Sequence, residues 1–424
     1  MERPLTRNIR PDEPPLALEA YRRVGGYEAV RKALAQSPEA ITQAVKEAGL
    51  RGCGGAGFPT GVKWSAVPMG ADAPHPKYLV VNADEMEPGS FKDRLLLEGD
   101  PHQMVEAVIV SGFAIQADHA YIFLRGEYTL ARQRLGAAIR EAYAAGLLGP
   151  GILGSGYGLE LHVHSSAGRY MCGEASALLN ALEGGRAIPR AKAVRTAVSG
   201  LWGKPTVVNN VETLCNVPHI VNNGAAWYKS LGLGDAVGTK IYGASGKVKR
   251  PGAWELPLGT TLRAIIEEHA GGMRDGVAFR ACLPGGASTA FVGEAGLDVA
   301  MDWHGVQSVG SRLGTGTVIV LDDQTCPVGM LLSLQRFFAQ ESCGWCTPCW
   351  SGLHWVASLL HRFEAGQATE DDFDLLRTQA DHLTKGYTFC GLAPGAMESL
   401  ASGLDLFRDD FMRHVSLRRC PWRA

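Results

Sequence analysis

No stretch of this 424-residue chain stays apolar long enough to cross a membrane as a helix. The longest run, AVIVSGFAI at residues 107–115, is about half of what a bilayer requires. The N-terminus, MERPLTRNIRPDEPPLALEA, has no apolar signal core and carries acids early, so a secretory or transit peptide is not expected. An excess of one charge is missing as well. The 41 Lys and Arg residues nearly balance 43 Asp and Glu, the net charge is −2, and the signs are mixed along the chain. Without a basic stripe, nucleic acid is excluded as an expected partner, and membrane association would have to come through partner proteins. No internal repeat or low-complexity segment is found. Ten cysteines are too few for a disulfide scaffold in a chain of this length, and a reducing, cytoplasmic setting is expected.

What is present is a change of texture along the chain. Residues 1–70 read as an N-terminal arm, short helices and a glycine-rich loop. In SPEAITQAVKEAGLRG, Ser37 is placed to cap a helix with Pro38 at its first position and Ile41, Val45 and Leu50 on one face. Residues 71–235 alternate buried strands with helices. KYLVVNADE, AYIFLRGEY and LELHVHSS read as strands, and PHQMVEAVIVSGFAIQA and TLARQRLGAAIREAYAAG as helices, the pattern of a parallel α/β sheet. Residues 236–326 shift to short strands and turns around one helix, a small α+β domain. Residues 327–424 are helical, with the last helix expected near 396–413.

Only one cysteine set has a spacing that demands explanation. ESCGWCTPC holds Cys343, Cys346 and Cys349 three apart, and Cys390 follows far downstream in TFCGLAPGA. Four thiolates close a metal site. Structural zinc favours two separated C-x2-C pairs, whereas a compact triple plus a distant fourth suits the corners of an iron–sulfur cubane, so the spacing favours iron–sulfur over zinc. Cys53, Cys172, Cys215, Cys282, Cys326 and Cys420 are scattered and read mostly as small core residues.

Three further stretches carry binding chemistry. GLRGCGGAGFPTGVKW supplies Gly52, Gly54 and Gly55, which let backbone N–H groups approach a phosphate, and Lys63 adds positive charge. No strand directly precedes it, so it is not the usual dinucleotide fingerprint. VVNADEMEPG puts Asn82, Asp84, Glu85 and Glu87 just past a buried strand, where α/β sheets bind ligands. Tyr170, Gly173 and Glu174 open a helix in AGRYMCGEASALL, and Asn209, Asn210 and Thr213 lie in GKPTVVNNVETL. Each group alone is an ordinary cap or turn; together they could wall in a planar ligand.

Taken as a set, GAGFPTGVKW, NADEMEPG, GKPTVVNNVETLCNVP, SRLGTG, ESCGWCTPC and TFCGLAPGA resemble the family of NADH-binding flavoproteins of respiratory complex I, the 51 kDa component of that NADH:quinone oxidoreductase, over roughly residues 15–415. The resemblance implies an α/β flavin domain, an α+β ubiquitin-like (β-grasp, SLBB-type) domain and a helical iron–sulfur domain. It implies FMN contacts at Gly52, Gly54, Lys63, Asn82, Asp84, Glu85, Tyr170, Gly173, Glu174, Asn209, Asn210 and Thr213. NADH contacts would fall on Gly55, Phe58 and Glu87, with Phe58 packed on the dinucleotide, and Cys343, Cys346, Cys349 and Cys390 would hold one 4Fe–4S cluster. Hydride transfer needs no protein base, so Glu87 and Glu174 are expected to orient and tune. Implied partners are a 2Fe–2S subunit of the 24 kDa type and the large iron–sulfur subunit, on the cytoplasmic side of the inner membrane.

The sequence departs from the family pattern at several places. Cys53 stands where Arg is usual in the glycine loop, and Trp350 where Arg follows the third cysteine. Ala175 and Ser176 replace Glu and Thr after Glu174, and Arg195 in AKAVRTAVSG replaces an apolar Phe. Losing a carboxylate at 175 and gaining Arg195 would relax rejection of the NADPH 2′-phosphate, so NADP(H) joins NAD(H) as an expected nucleotide. A Cys53 thiol near a helix N-terminus would be acidic and oxidisable, and Trp350 would make the cluster harder to reduce. The alternatives are the diaphorase subunit of an NAD(P)-linked formate dehydrogenase or hydrogenase, and a non-catalytic, zinc-stapled scaffold. That the chain opens almost directly at the module and carries only Cys420 beyond Cys390 favours the complex I reading.

Overall fold

A computed structural model describes residues 2–191, 194–384 and 386–423. The chain forms two compact units. The first comprises Met1–Met86, Phe91–Ile241 and Glu255–Leu258; the second comprises Glu87–Ser90, Tyr242–Trp254 and Gly259–Ala424.

The first unit is built on four parallel strands, β1 (Tyr78–Ala83), β2 (His119–Leu124), β3 (Glu160–Ser165) and β4 (Thr206–Asn210), in the order β3-β2-β1-β4. Its helices are α1 (Pro38–Glu47), α2 (Thr60–Trp64), α3 (Lys92–Gly99), α4 (Pro101–Ile115), α5 (Thr129–Ala144), α6 (Ala175–Leu182) and α7 (Val211–Asn223), besides shorter ones. Ser37 caps α1 as expected, its hydroxyl accepting the Ala40 N–H at 3.2 Å. Leu79, Val80 and Val81 are fully buried, which explains why β1 reads as a continuous apolar run rather than an alternating one. The long apolar run lies in α4, almost wholly buried in this unit rather than in lipid. Among the described residues no helix is long and apolar enough to span a membrane.

The strand order fixes where a ligand can enter. From β1 the chain builds outward through β2 to β3, then returns to the opposite side of β1 as β4. The reversal lies between the carboxyl ends of β1 and β4, where Asn82 and Asn210 are register partners. Such a switch point leaves a crevice because the flanking connections depart in opposite directions.

The second sheet has the order β6-β5-β9-β7-β8, with β5 (Thr239–Gly246), β6 (Gly252–Pro257), β7 (Phe279–Leu283), β8 (Val292–Gly293) and β9 (Thr317–Asp322). β9 runs parallel to β5 and antiparallel to β7, the mixed pairing of a small ubiquitin-like α+β domain. Five helices follow: α8 (Pro327–Glu341), α9 (Thr347–Glu364), α10 (Glu370–His382), α11 (Leu392–Leu406) and α12 (Arg408–Leu417). Phe363 and Phe373 both meet Phe411 edge-on, at 5.0 and 5.4 Å, and tie α9, α10 and α12 together. Gln335 on α8 donates to the Ala396 carbonyl of α11 at 2.8 Å. The single last helix expected at 396–413 is two, broken at Phe407. Phe407 is buried and leaves helical geometry (φ −117°, ψ 23°), so core packing redirects the chain where local propensity alone would have continued the helix.

Candidate functional site

The sequence-selected residues of the first unit gather around the β1/β4 switch point. The glycine loop is closed on itself, with Gly52 N–H donating to Phe58 O at 3.0 Å and Gly57 N–H to Gly52 O at 3.2 Å. It is pinned to the start of α7 by the Cys53 N–H, which donates to Thr213 Oγ1 at 2.8 Å. Gly55 has φ +117°, a conformation closed to side chains, and a Cβ on Gly54 would lie 3.1 Å from the Asn210 Cβ. The loop therefore exposes main chain rather than side chains. Phe58 projects at its rim, about half exposed at 51%.

On the opposite side, Asn82 Nδ2 donates to the Gly173 carbonyl at 2.9 Å. This draws the end of β1 onto the short turn Tyr170–Gly173 that precedes α6. The buried Asp84 accepts the Ser166 hydroxyl at 2.6 Å. The cleft is thus bordered by the glycine loop, the α7 N-terminus, the β1 end and the Tyr170–Gly173 turn.

Several polar side chains that the sequence marks as ligand contacts are already committed to the protein. The Glu85 carboxylate accepts the N–H groups of Lys92, Asp93 and Arg94 at 2.9–3.1 Å, along with the Tyr128 hydroxyl at 3.0 Å, and so caps α3. Glu174 caps α6 by accepting the Ser176 and Ala177 N–H groups, each at 2.9 Å. Asn209 holds the Trp64 indole at 3.0 Å, and Lys63 reaches the Val208 carbonyl at 3.0 Å. Burial lowers the Lys63 pKa from its usual value. These residues set the geometry of the walls, and what remains open to a ligand is largely backbone. Glu87 lies in the second unit, where its carboxylate accepts the Ser288 N–H at 2.7 Å beside Gly286.

The sequence reading missed the buried charges beneath this cleft. Lys92 Nζ pairs with Asp93 at 2.7 Å and with Glu212 at 2.9 Å, while Lys240 joins Glu212 at 3.2 Å. Asn210 Nδ2 donates to Asp93 Oδ2 at 2.6 Å. Burial pushes the Asp93 carboxyl up to about 6 even though Lys92 opposes it. Two cations and two carboxylates balance, which is the condition for burying any of them. A signal was available: charged KD and E sit inside the apolar surroundings of GSFKDRLLL and VVNNVETL.

The structure bears out Cys53 as a small packed residue and not as the acidic thiol that a helix N-terminus would have made of it. Its thiol is buried and burial pushes its pKa up to about 11, so it is a packed, unreactive residue rather than an oxidisable one. Ala175 is the first residue of α6 and packs partly against the core formed by Tyr78, Leu178 and their neighbours. Arg195 is exposed; Lys192 and Ala193 of the same stretch lie outside the described residues.

In the second unit, Cys343 and Cys346 lie in and at the end of the loop between α8 and α9, Cys349 is in the first turn of α9, and Cys390 lies two residues before α11, ahead of its N-cap Gly391. Burial raises the Cys349 thiol to about 12, and the charges of Cys346, Cys390 and Cys343 add to that rise. The Ser342 hydroxyl contacts Cys349 Sγ at 3.3 Å. Four thiols from two loops, with Gly344 at φ +73° turning the first, form a donor set suited to an iron–sulfur cubane. Trp350 is exposed, its ring 4.5 Å from His354.

The chain matches three family models: the Nuo51 FMN-binding domain at residues 45–219, the SLBB domain at 243–292, and the NADH-ubiquinone oxidoreductase-F iron–sulfur binding region at 329–414. The F subunit of NADH-quinone oxidoreductase from Escherichia coli (strain K12) is 52% identical over 409 residues, covering 96% of this chain and 92% of that protein. The second F subunit of the same enzyme from Rhizobium meliloti is 49% identical, covering 96% of each chain. Among solved structures, an NAD+-reducing [NiFe]-hydrogenase in the H2-reduced state superposes with a TM-score of 0.82 at 35% identity. The match covers 93% of this chain, which spans only 65% of the hydrogenase chain.

Proposed function

The chain belongs to the family of F subunits of NADH-quinone oxidoreductases, and from that premise we propose how its residues serve the family's reaction. It is the NADH-oxidising, electron-input flavoprotein of a multi-subunit complex, with FMN and one 4Fe–4S cluster. FMN held at this cleft would supply the conversion of a two-electron hydride from NADH into single electrons.

The observation that carries the residue assignment is the convergence of a glycine loop, two strand ends and a helix N-terminus at the β1/β4 switch point. Main-chain N–H groups of Gly54 and Gly55, held in place by the Gly52–Phe58 hydrogen bond, suit an anionic phosphate, because they present donors without desolvating a side-chain charge. Asn82, Asp84, Tyr170 and Gly173 border a planar ring. Glu85, Glu174, Asn209, Asn210 and Thr213 act as positioning residues, holding the helix starts and loop that form the walls. Phe58 and Glu87 are assigned to the dinucleotide, Phe58 by stacking its exposed ring. Cys343, Cys346, Cys349 and Cys390 hold the cluster.

Functionally the chain divides into the arm and loop at 1–70, the FMN/NADH domain at 71–235, the ubiquitin-like domain at 236–326 and the cluster domain at 327–424. Its partners are the 2Fe–2S subunit of the 24 kDa type and the large iron–sulfur subunit, and its place is peripheral on the cytoplasmic face of the inner membrane. The test is an anaerobic absorption spectrum before and after NADH. Flavin and iron–sulfur bands that bleach support the reading; a colourless, zinc-bearing protein overturns it in favour of a scaffold.

The likeness to the NAD+-reducing hydrogenase chain supports a second reading, the diaphorase subunit of a hydrogenase or formate dehydrogenase. Co-purification separates the two: quinone-module subunits on one side, a nickel or molybdenum subunit on the other. Ala175 and the exposed Arg195 support use of NADPH beside NADH. Steady-state kinetics should show NADPH turnover that falls in Arg195→Ala; no NADPH turnover in the parent protein refutes it.

A further inference from the structure

A second set of metal-ligating side chains lies in the helical part, made of residues far apart in sequence. Cys326 Sγ, a Glu364 carboxylate oxygen, a His414 ring nitrogen and Cys420 Sγ all lie within 4.8 Å of one another. Cys326 Sγ is 3.0 Å from Glu364 Oε1 and 3.5 Å from His414 Nε2, and His414 Nε2 is 3.2 Å from Glu364 Oε1. A tetrahedral zinc ion with bonds of about 2.0–2.3 Å sets its donors about 3.3–3.8 Å apart, close to this spacing. Glu364, His414 and Cys420 are buried.

From this juxtaposition we propose that Cys326, Glu364, His414 and Cys420 form a closed structural zinc site, separate from the iron–sulfur cysteines.

The surroundings are those of a built site. His414 Nδ1 lies 2.7 Å from the Asp410 carbonyl, which can only accept, so the ring proton sits on Nδ1 and the Nε2 lone pair faces the cluster. Without an ion, that lone pair points at a carboxylate oxygen at 3.2 Å and a sulfur at 3.5 Å, and protons must mediate every contact. A cation satisfies all four donors at once, and two thiol protons leave as it binds. Two thiolates and a carboxylate then carry three negative charges against two on zinc. Arg423, 2.8 Å from Glu364 Oε2, supplies the remaining positive charge. The Gly329 N–H donates to Cys326 Sγ at 3.2 Å, as hydrogen bonds to zinc thiolates do. A Cβ on Gly329 would lie 3.3 Å from Glu364 Oε1, so a small residue keeps the pocket open. The donors come from the α8 N-cap, the end of α9, α12 and the segment after α12. The ion would clamp that terminal segment onto the bundle.

The experiment uses the intact holoprotein, purified without chelators or a metal-affinity tag, with zinc and iron measured together. One zinc per chain is expected beside the cluster iron. Zinc-edge X-ray absorption should show two sulfurs at about 2.3 Å and two lighter donors at about 2.0 Å. His414→Ala and Cys420→Ser should each lower zinc affinity at least about tenfold, with iron and flavin content unchanged. If either variant fails to fold, the absorption fine structure of the parent protein decides alone. The proposal is overturned by less than about a tenth of an equivalent of zinc after incubating reduced protein with zinc chloride. A four-sulfur zinc shell, or a Cys326–Cys420 disulfide in the isolated protein, also overturns it.

Discussion

The flavin-side cleft and the iron–sulfur loop use their side chains in opposite ways. Around the cleft, Glu85, Glu174, Asn209 and Thr213 spend their polar atoms on helix starts, an indole and a loop N–H. The ligand is left with backbone and a shape. In the iron–sulfur region, on the proposed assignment, the side chains of Cys343, Cys346, Cys349 and Cys390 would themselves be the ligands. A site made of backbone depends on everything that positions it; a site made of thiols depends on the thiols. Damage to the first should therefore be graded and coupled to stability, and damage to the second local and complete.

The largest effect expected from that contrast is Cys346→Ser, which should abolish the 4Fe–4S cluster while the flavin stays bound. Iron analysis and the flavin spectrum check this together, and loss of both cofactors would break the contrast. Next is Lys92→Met, which leaves Asp93 and Glu212 with only Lys240 to balance them. It should cost roughly 3–5 kcal/mol in chemical denaturation and loosen FMN in step with stability, because Asn210 and α3 rest on the same charges. A variant that keeps its stability but loses FMN would show that Lys92 acts on the flavin directly.

At neutral pH the effect that shows least is a pH dependence of the first unit. His219 is buried against Gln103 Oε1 at 2.7 Å, and burial pushes its pKa down to about 3. The unfolded chain takes up a proton near pH 6.5 that the folded unit refuses. The stability His219 supports is therefore complete above about 6.5 and falls on acidification toward 3, by up to about 1.4 kcal/mol per pH unit. His219→Gln should flatten that slope in urea titrations at pH 4 to 7; an unchanged slope assigns the acid sensitivity elsewhere.

Much of this was legible in the chain itself. The buried strands and the α4 helix announce themselves by unbroken apolar runs, because a strand covered on both faces has no polar side to show. The spacing of Cys343, Cys346 and Cys349 is legible because it is local, three thiols within seven residues. The break at Phe407 was not legible: LASGLDLFRDDFMRHV has helical periodicity throughout, and only the packing of a buried ring separates α11 from α12. Cys326 and Cys420 read as scattered core thiols, since nothing along the chain connects them to Glu364 or His414.

By itself, then, the sequence determined the classes of fold, the glycine loop and the spacing of the cysteine triple, and its motifs carry the resemblance to the family. The first three follow from periodicity, conformational freedom and spacing, all of which act between near neighbours. Tertiary structure alone decided which atoms of the cleft remain available, that Lys92, Asp93, Glu212 and Lys240 neutralise one another, and that four distant donors meet within 4.8 Å. Those outcomes depend on desolvation and proximity, and only the folded chain sets either.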